Sequence, residues 1–275
     1  MAEPQSLGAT RPPTAVTASE PLWDCAARTD VGKVRDHNED YFIVRADLGL
    51  FVVLDGMGGH QAGEVASELA GKVTSEFFDR CRKDPEMTWP FKIDRALGED
   101  GSRLAVALRH SNDRIRSLAA EDPRKGNMGT TAVAAYLKGD KTFVSWAGDS
   151  RGYQFRGGKI WPITSDHSLL GDFIRQKNPT PEEIEAFPYK NVISRALGPS
   201  ADVKVDTLLV DMKPGDTILL CCDGLHGMVK DDQMAAILTR QKDLAAACRD
   251  LILAANDAGG VDNITVVLVR RKAGR

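Results

Sequence analysis

The stretch LFVVLDGMGGHQAGEVA, Leu50 to Ala66, runs from an apolar segment through one aspartate into glycines. Phe51 to Leu54 reads as a short buried strand, so Asp55 falls where that strand ends. Gly56, Gly58 and Gly59 permit tight turns and close backbone approach. The same device recurs. TILLCCDGL closes the run Ile218 to Cys222 on Asp223-Gly224, and FVSWAGDSR closes Phe143 to Ala147 on Gly148-Asp149. GGVDNITVVLV mirrors it, with Asp262 ahead of the strand Ile264 to Val269. TDVGKVRDHNEDYFIV sets Glu39 and Asp40 ahead of the strand Tyr41 to Val44. One such aspartate is an ordinary Asp-Gly turn. Five such sites constrain the fold, because carboxylates gathered from separate strand ends repel one another unless a cation sits among them.

Nucleotide loops do not account for the glycines. A P-loop needs Gly-Lys-Ser/Thr after its spacer, and no lysine occurs there. The dinucleotide fingerprint needs a third glycine where Gln61 stands, and Asp55 would face a pyrophosphate with like charge. An aspartate beside bare backbone suits a hard cation such as Mg²⁺ or Mn²⁺, which takes carboxylate, carbonyl and water oxygens.

Net charge is −3 with 27% charged residues, which gives no global footprint for nucleic acid. No apolar run approaches the roughly 20 residues of a membrane span. The start MAEPQSLGATRPPTAVTASEP lacks a positive region followed by an apolar core, so residues 1–21 read as a disordered tail and not a signal peptide. Cys25, Cys81, Cys221, Cys222 and Cys248 show no paired spacing and no CxxC, against zinc and in favour of a reducing, cytoplasmic compartment.

Between the motifs, Val65, Leu69, Val73 and Phe77 predict a helix with one buried stripe, and Leu104, Leu108, Ile115 and Leu118 a second. KDPEMTWPFKIDRALGEDG joins them as a structured loop. Strands are expected at about 130–137, 142–147, 151–156 and 217–222, and helices near 231–239 and 243–256. Tight turns at LKGDK and RGGK favour antiparallel sheets covered by helices. Within 166–195, TPEEIEAF signals a helix start, with Thr180 as cap, Pro181 leading and Glu183 closing the box. His110 and His226 read as packing or surface residues.

In order along the chain stand TDVGKVRDHNED, LDGMGGHQAGE, MGTTAVAA, WAGDSR, TSDHS, NVISRALG, GDTILLCCDGL and DNITVV. Each block is modest alone, but the ordered set, from about Ala26 to Arg270, resembles the bacterial form of the metal-dependent protein phosphatases, the type 2C serine/threonine phosphatases. The resemblance implies an α+β fold over residues 22–272: an antiparallel β-sandwich flanked by helices on both sides, with a metal cleft at one end and a flap at about 166–195. It implies two Mn²⁺ or Mg²⁺ ions bridged by Asp55, with the Gly56 carbonyl on one of them. Asp223 and Asp262 are then ligands of the first ion and Glu39 of the second, with Asp40 holding water in the outer shell. Asp149 with Asp223 matches a weaker third position, Arg35 a clamp on substrate phosphate, and Asn263 a residue that orients Asp262 or a water.

Hydrolysis of phosphoserine and phosphothreonine in proteins follows as the expected activity, on substrates of a serine/threonine kinase and by a monomer. Two other readings stay open: a phosphoprotein-binding module that has lost catalysis, and a two-metal hydrolase of small phosphate esters. Arginine suits the clamp because its planar fork grips two phosphate oxygens. Animal members carry a histidine, thought to protonate the leaving alcohol, where this chain has Met57. His60 is the nearby substitute, and it is expected to pack at the start of the following helix instead.

Overall fold

Strands in the middle of this protein are apolar on both faces because four layers bury them. The computed structural model describes residues 15–19, 22–58, 62–122, 126–190 and 192–272. In chain order the elements are β1 (Ala15–Ser19), β2 (Trp23–Asp30), β3 (Asp40–Arg45), β4 (Leu50–Met57), α1 (Ala62–Lys83), α2 (Gly98–Glu121), β5 (Gly129–Thr130), β6 (Ala132–Lys138), β7 (Lys141–Ala147) and β8 (Arg151–Arg156). There follow β9 (Lys159–Pro162), α3 (Leu169–Lys177), α4 (Pro181–Ala186), β10 (Asp206–Val210), β11 (Thr217–Cys221), α5 (Asp223–His226), α6 (Asp231–Arg240), α7 (Leu244–Asp257) and β12 (Ile264–Arg271). One sheet runs β1-β2-β12-β11-β8-β9 and the other β10-β7-β6-β4-β3, with β5 paired to β4. Every pairing is antiparallel. Helices α1 and α2 cover the second sheet, and α5, α6 and α7 the first.

Period-2 alternation divides the core. On β4, Leu50, Val52 and Leu54 face α1 and α2, whereas Phe51 and Val53 enter the space between the sheets. On β12, Val267 and Val269 meet that same space, while Ile264, Val266 and Leu268 pack under α7. Both faces of such a strand are dry, so its sequence reads as a continuous apolar run. The α-β-β-α sandwich expected from the resemblance is the architecture observed.

Several local expectations need correction. Residues 15–19, placed in a disordered tail, form β1 on the edge of the first sheet through pairing with β2. The strand that holds Asp55 continues to Met57, because β5 pairs with Gly56 and Met57 after β6 turns away. Asp223 opens the short helix α5 and does not close a strand. On α1 the most buried face is Ala62, Ala66, Ala70 and Val73, with Val65 and Leu69 flanking it, since small residues let the helix lie close to the sheet. The loop between α1 and α2 is structured as expected, with Met87, Trp89 and Phe91 packed on the core. In the excursion between β9 and β10, Thr180 and Glu183 form the expected capping box.

Phe51 is fully buried between the sheets. Phe51→Ala leaves a cavity there and is expected to cost about 3–5 kcal/mol of stability. A urea denaturation midpoint that falls with an unchanged slope is the measurement that checks it.

Candidate active site

Five separate segments bring six acidic side chains to one end of the sandwich. The β2–β3 loop supplies Glu39, β3 and β4 supply Asp40 and Asp55, and the β7–β8 turn supplies Asp149. Asp223 begins α5, and Asp262 lies in the α7–β12 connection. Asp40 and Asp55 are direct cross-strand partners, and like charges so placed repel. Burial, followed by repulsion from Asp40, Asp223, Asp149 and Asp262, holds the Asp55 carboxyl well above the usual range. Asp40 and Asp149 are each pushed up to about 7, mainly by burial. Burial and the Asp262 charge raise Asp223. Burial raises Glu39 too, against Arg35 and the backbone N–H groups of Gly63 and Glu64 in the first turn of α1.

The fold supports this arrangement from behind with neutral donors. Thr265 Oγ1 donates to Asp40 Oδ2 at 2.7 Å, across the gap between the two sheets. Its proton being committed there, Thr265 accepts from Thr29 Oγ1 at 2.7 Å, which in turn accepts from Asn38 Nδ2 at 2.8 Å. One chain of donors therefore ends on the carboxylate. Asn263 ties down the loop that carries Arg35 and Glu39. Its Nδ2 donates to Val31 O at 3.0 Å and His37 O at 2.8 Å, and its Oδ1 accepts from Glu39 N at 2.8 Å. The expected orientation of Asp262 by Asn263 comes instead from the backbone, where Asn263 N donates to Asp262 Oδ1 at 2.8 Å.

Gly56 has no room for a side chain, since a Cβ would stand 2.2 Å from Gly63 O and 2.5 Å from Glu39 O. That contact locks β4 against α1 and the Glu39 loop. Gly148, at φ +121°, would push a Cβ to 2.5 Å from Thr131 Cβ, so the turn before Asp149 requires glycine.

The remaining predicted residues fall as follows. Arg35 is exposed at the mouth and pairs with Asp262 through Nη2 at 2.8 Å. The side chain of His37 is exposed. His226, read as a packing or surface residue, donates from Nε2 to Asp149 O at 3.0 Å, and burial lowers its pKa to about 4. His60 lies outside the described residues. Thr265, Thr29, Asn38 and His226 were not singled out as site residues. The Asn-Glu-Asp and Asp-Asn-Ile-Thr spacings held the only signal for Asn38 and Thr265.

These residues fit hard cations. Asp40 Oδ1 and Asp149 Oδ1 are buried with no hydrogen-bond partner, which is costly unless something positive or protic meets them. Cys222 Sγ lies within 4.8 Å of carboxylate oxygens of Asp40 and Asp55, the one such grouping with a soft donor among the described residues. Its thiol donates to Asn263 O at 3.2 Å, and burial beside Asp40 holds it well above its ordinary pKa. That thiol is already engaged between Asn263 O and Thr265 N, so the donors left open to a cation are carboxylate oxygens, as for Mg²⁺ or Mn²⁺.

The pH dependence has a definite sign. Folded-state values raised above the unfolded carboxylate range mean that the metal-free fold is favoured when Asp40 and Asp149 hold protons. That stability is lost as pH rises through about 7, and a cation that displaces those protons binds better over the same interval. The rise in melting temperature on adding Mn²⁺ to chelated protein is expected to grow from about pH 6 to about pH 8. Histidines outside the ligand set cancel in that difference. Calorimetry that shows a shrinking increment would contradict the clustering.

A family model described as Protein phosphatase 2C matches residues 33–259. The chain is 36% identical over 247 residues to the serine/threonine phosphatase stp of Listeria welshimeri, covering 89% of this chain and 94% of that protein. It is 36% identical to the protein phosphatase PhpP of Streptococcus pneumoniae, covering 88% of this chain and 94% of that one. Among solved structures, the Mycobacterium tuberculosis serine/threonine phosphatase PstP/Ppp superposes with a TM-score of 0.80 at 32% identity, over 92% of this chain and 100% of that one. The catalytic domain of PstP in complex with two manganese ions superposes at 0.77 and 31% identity, over 92% of this chain and 99% of that one. With ordered motifs, sandwich and clustered carboxylates all in agreement, this chain belongs to the protein phosphatase 2C family.

Proposed function

We propose that Asp55 bridges two Mn²⁺ or Mg²⁺ ions, with Asp223 and Asp262 on one, Glu39 and the Gly56 carbonyl on the other, and Asp149 with Asp223 at a weaker third position. The chain is a metal-dependent serine/threonine protein phosphatase, and its substrates are phosphoproteins. One observation carries the residue assignments: six carboxylates from five segments converge, and two of their buried oxygens lack any hydrogen-bond partner. When bound, two such ions lower the pKa of a water and draw charge from the phosphoryl oxygens.

The protein's own groups do the rest. Arg35 hangs from an exposed loop and spends one nitrogen on Asp262, so its fork can turn to two oxygens of the phosphate. A phosphate dianion would compete with Asp262 for that guanidinium, which would leave the Asp262 carboxylate free to help hold a metal ion. Asp40 is fixed by Thr265 at Oδ2 and accepts a hydrogen bond from the attacking water at Oδ1, the oxygen left without a partner. Met57 cannot donate a proton, so solvent protonates the leaving alkoxide. The substrates are targets of a serine/threonine kinase, and the enzyme works as a cytoplasmic monomer; five buried free cysteines support a reducing compartment.

Hydrolysis of a phosphothreonine peptide is expected to stop in EDTA and return with Mn²⁺ or Mg²⁺. Asp55→Ala and Asp223→Ala are each expected to keep less than about a tenth of the wild-type rate, a barrier increase of more than about 1.4 kcal/mol. A faster variant in either case would remove that residue from the assignment. Arg35→Ala is expected to raise KM for the phosphopeptide while Mn²⁺ affinity, read by calorimetry, holds. Collapse of metal binding in that variant would make Arg35 structural.

A further inference from the structure

Beside the candidate active site, on the flap side, lies a groove of about 550 Å³ to which the hydrolysis gives no role. Met57, Ile193, Pro199 and Val203 line it, with Arg195 and Lys204 at its rim. Met57 ends β4 and stands two residues beyond Asp55, about 7 Å along the strand. The groove therefore opens where the strand carrying the bridging carboxylate ends.

Hydrogen bonds join the groove to the site and hold its walls. Thr130 Oγ1 donates to Asp55 O at 2.9 Å, while the Thr130 backbone exchanges two bonds of 2.9 Å with Leu197, which lies between the lining residues Ala196 and Pro199 of the far wall. Gly198 N donates to Asn112 Oδ1 at 2.7 Å. Ile193 bridges to Ser168, and Ser194 N donates to His167 O at 2.8 Å, so the flap's return segment is fixed as well. A substrate entering this space meets a preformed surface and spends little on ordering it.

Charge selects the occupant. Arg195 Nη1 lies 3.2 Å from Asp206 Oδ2, and Lys204 Nζ lies 3.5 Å from Asp206 Oδ1. Both rim cations thus share one carboxylate partner, Asp206, and Asp202 in the lining supplies the second negative charge that balances them. An acidic side chain would have to displace Asp206, whereas an apolar one gains the lining and breaks no ion pair.

We propose that this groove receives an apolar side chain of the phosphoprotein substrate, about two residues from the phosphorylated serine or threonine, and so sets which phosphorylation sites are preferred. The inference rests on the phosphatase reading above. Apolar pockets discriminate by roughly ten- to two-hundredfold per contact of this kind.

The test uses the full chain with Mn²⁺ and phosphothreonine peptides carrying Leu, Ala or Glu at the second position on either side. p-Nitrophenyl phosphate, which has no flanking residues, is the reference. On one side the Leu peptide is expected to exceed the Glu peptide in kcat/KM by about tenfold or more. Ile193→Glu is expected to erase or invert that preference, and Ile193→Leu to keep it, each read as the ratio of peptide to reference turnover. Equal kcat/KM for the three peptides on both sides overturns the proposal, and so does a folded Ile193→Glu that still favours Leu. Should Ile193→Glu not fold, the wild-type peptide panel decides alone. Wild-type protein that hydrolyses neither peptide nor reference would overturn the phosphatase reading itself.

Discussion

Repulsion among carboxylates at one end of the sandwich is the constraint from which much of the structure follows. Asp40 opposes Asp55 across a strand pair, and Asp149, Asp223 and Asp262 add their fields to Asp55 from other elements. A chain folding without cations would splay these groups apart unless the scaffold were stiffer than the repulsion. It is stiffened by contacts that a side chain would spoil or that neutral donors complete. Gly56 meets Gly63 and Glu39 backbone to backbone, Asn263 pins three points of the Glu39 loop, and a donor chain from Asn38 ends on Asp40. Such preorganisation keeps the acids where ions are wanted and leaves little reorganisation for the moment of reaction.

Elements with a strong local signal were legible in the sequence, and elements defined by their neighbours were not. β4, β11 and β12 announce themselves as apolar runs because each has two dry faces. β2 was invisible: WDCAARTD carries alanines and an arginine where β-branched residues would advertise a strand, and its pairing with β12 overrides propensity. β1 was hidden for the same reason, its pairing to β2 being a tertiary fact. The Thr180 cap was readable because a capping box is complete within four residues.

In the site, the clustered acids could be read and their supports could not. Acidic residues beside glycine mark themselves by spacing. Thr265 and His226 act through contacts 225 and 77 residues distant along the chain, and no local pattern encodes such a partnership. Asn263 shows the limit most plainly. Adjacency to Asp262 suggested that Asn263 orients that carboxylate or a water; the amide reaches to the β2–β3 loop, and the backbone N–H serves Asp262.

Placing the acids at the sheet junction also ties chemistry to substrate choice. β4 carries Asp55 in the site and Met57 in the groove, and β5 bonds to both that strand and the wall beyond it. A substrate chain lying along this edge touches elements already locked by the cluster's own scaffold, whereas the flap contributes the second wall through Ile193 and Arg195. His167 fastens the flap to the turn before Asp149. Its Nδ1 accepts from Gly148 N at 3.1 Å, its ring stacks on Trp146, and its carbonyl accepts from Ser194 N. His167 Nε2 lies 3.1 Å from Asp206 Oδ2 and 2.9 Å from Arg195 Nη1, and the same Asp206 carboxylate faces both Arg195 and Lys204. Asp206 thereby serves two purposes: it meets the flap's histidine and, together with Asp202, balances the two cations at the rim of the groove. A rim so balanced has no electrostatic means of choosing an acidic substrate, which leaves shape and apolar contact to do the choosing.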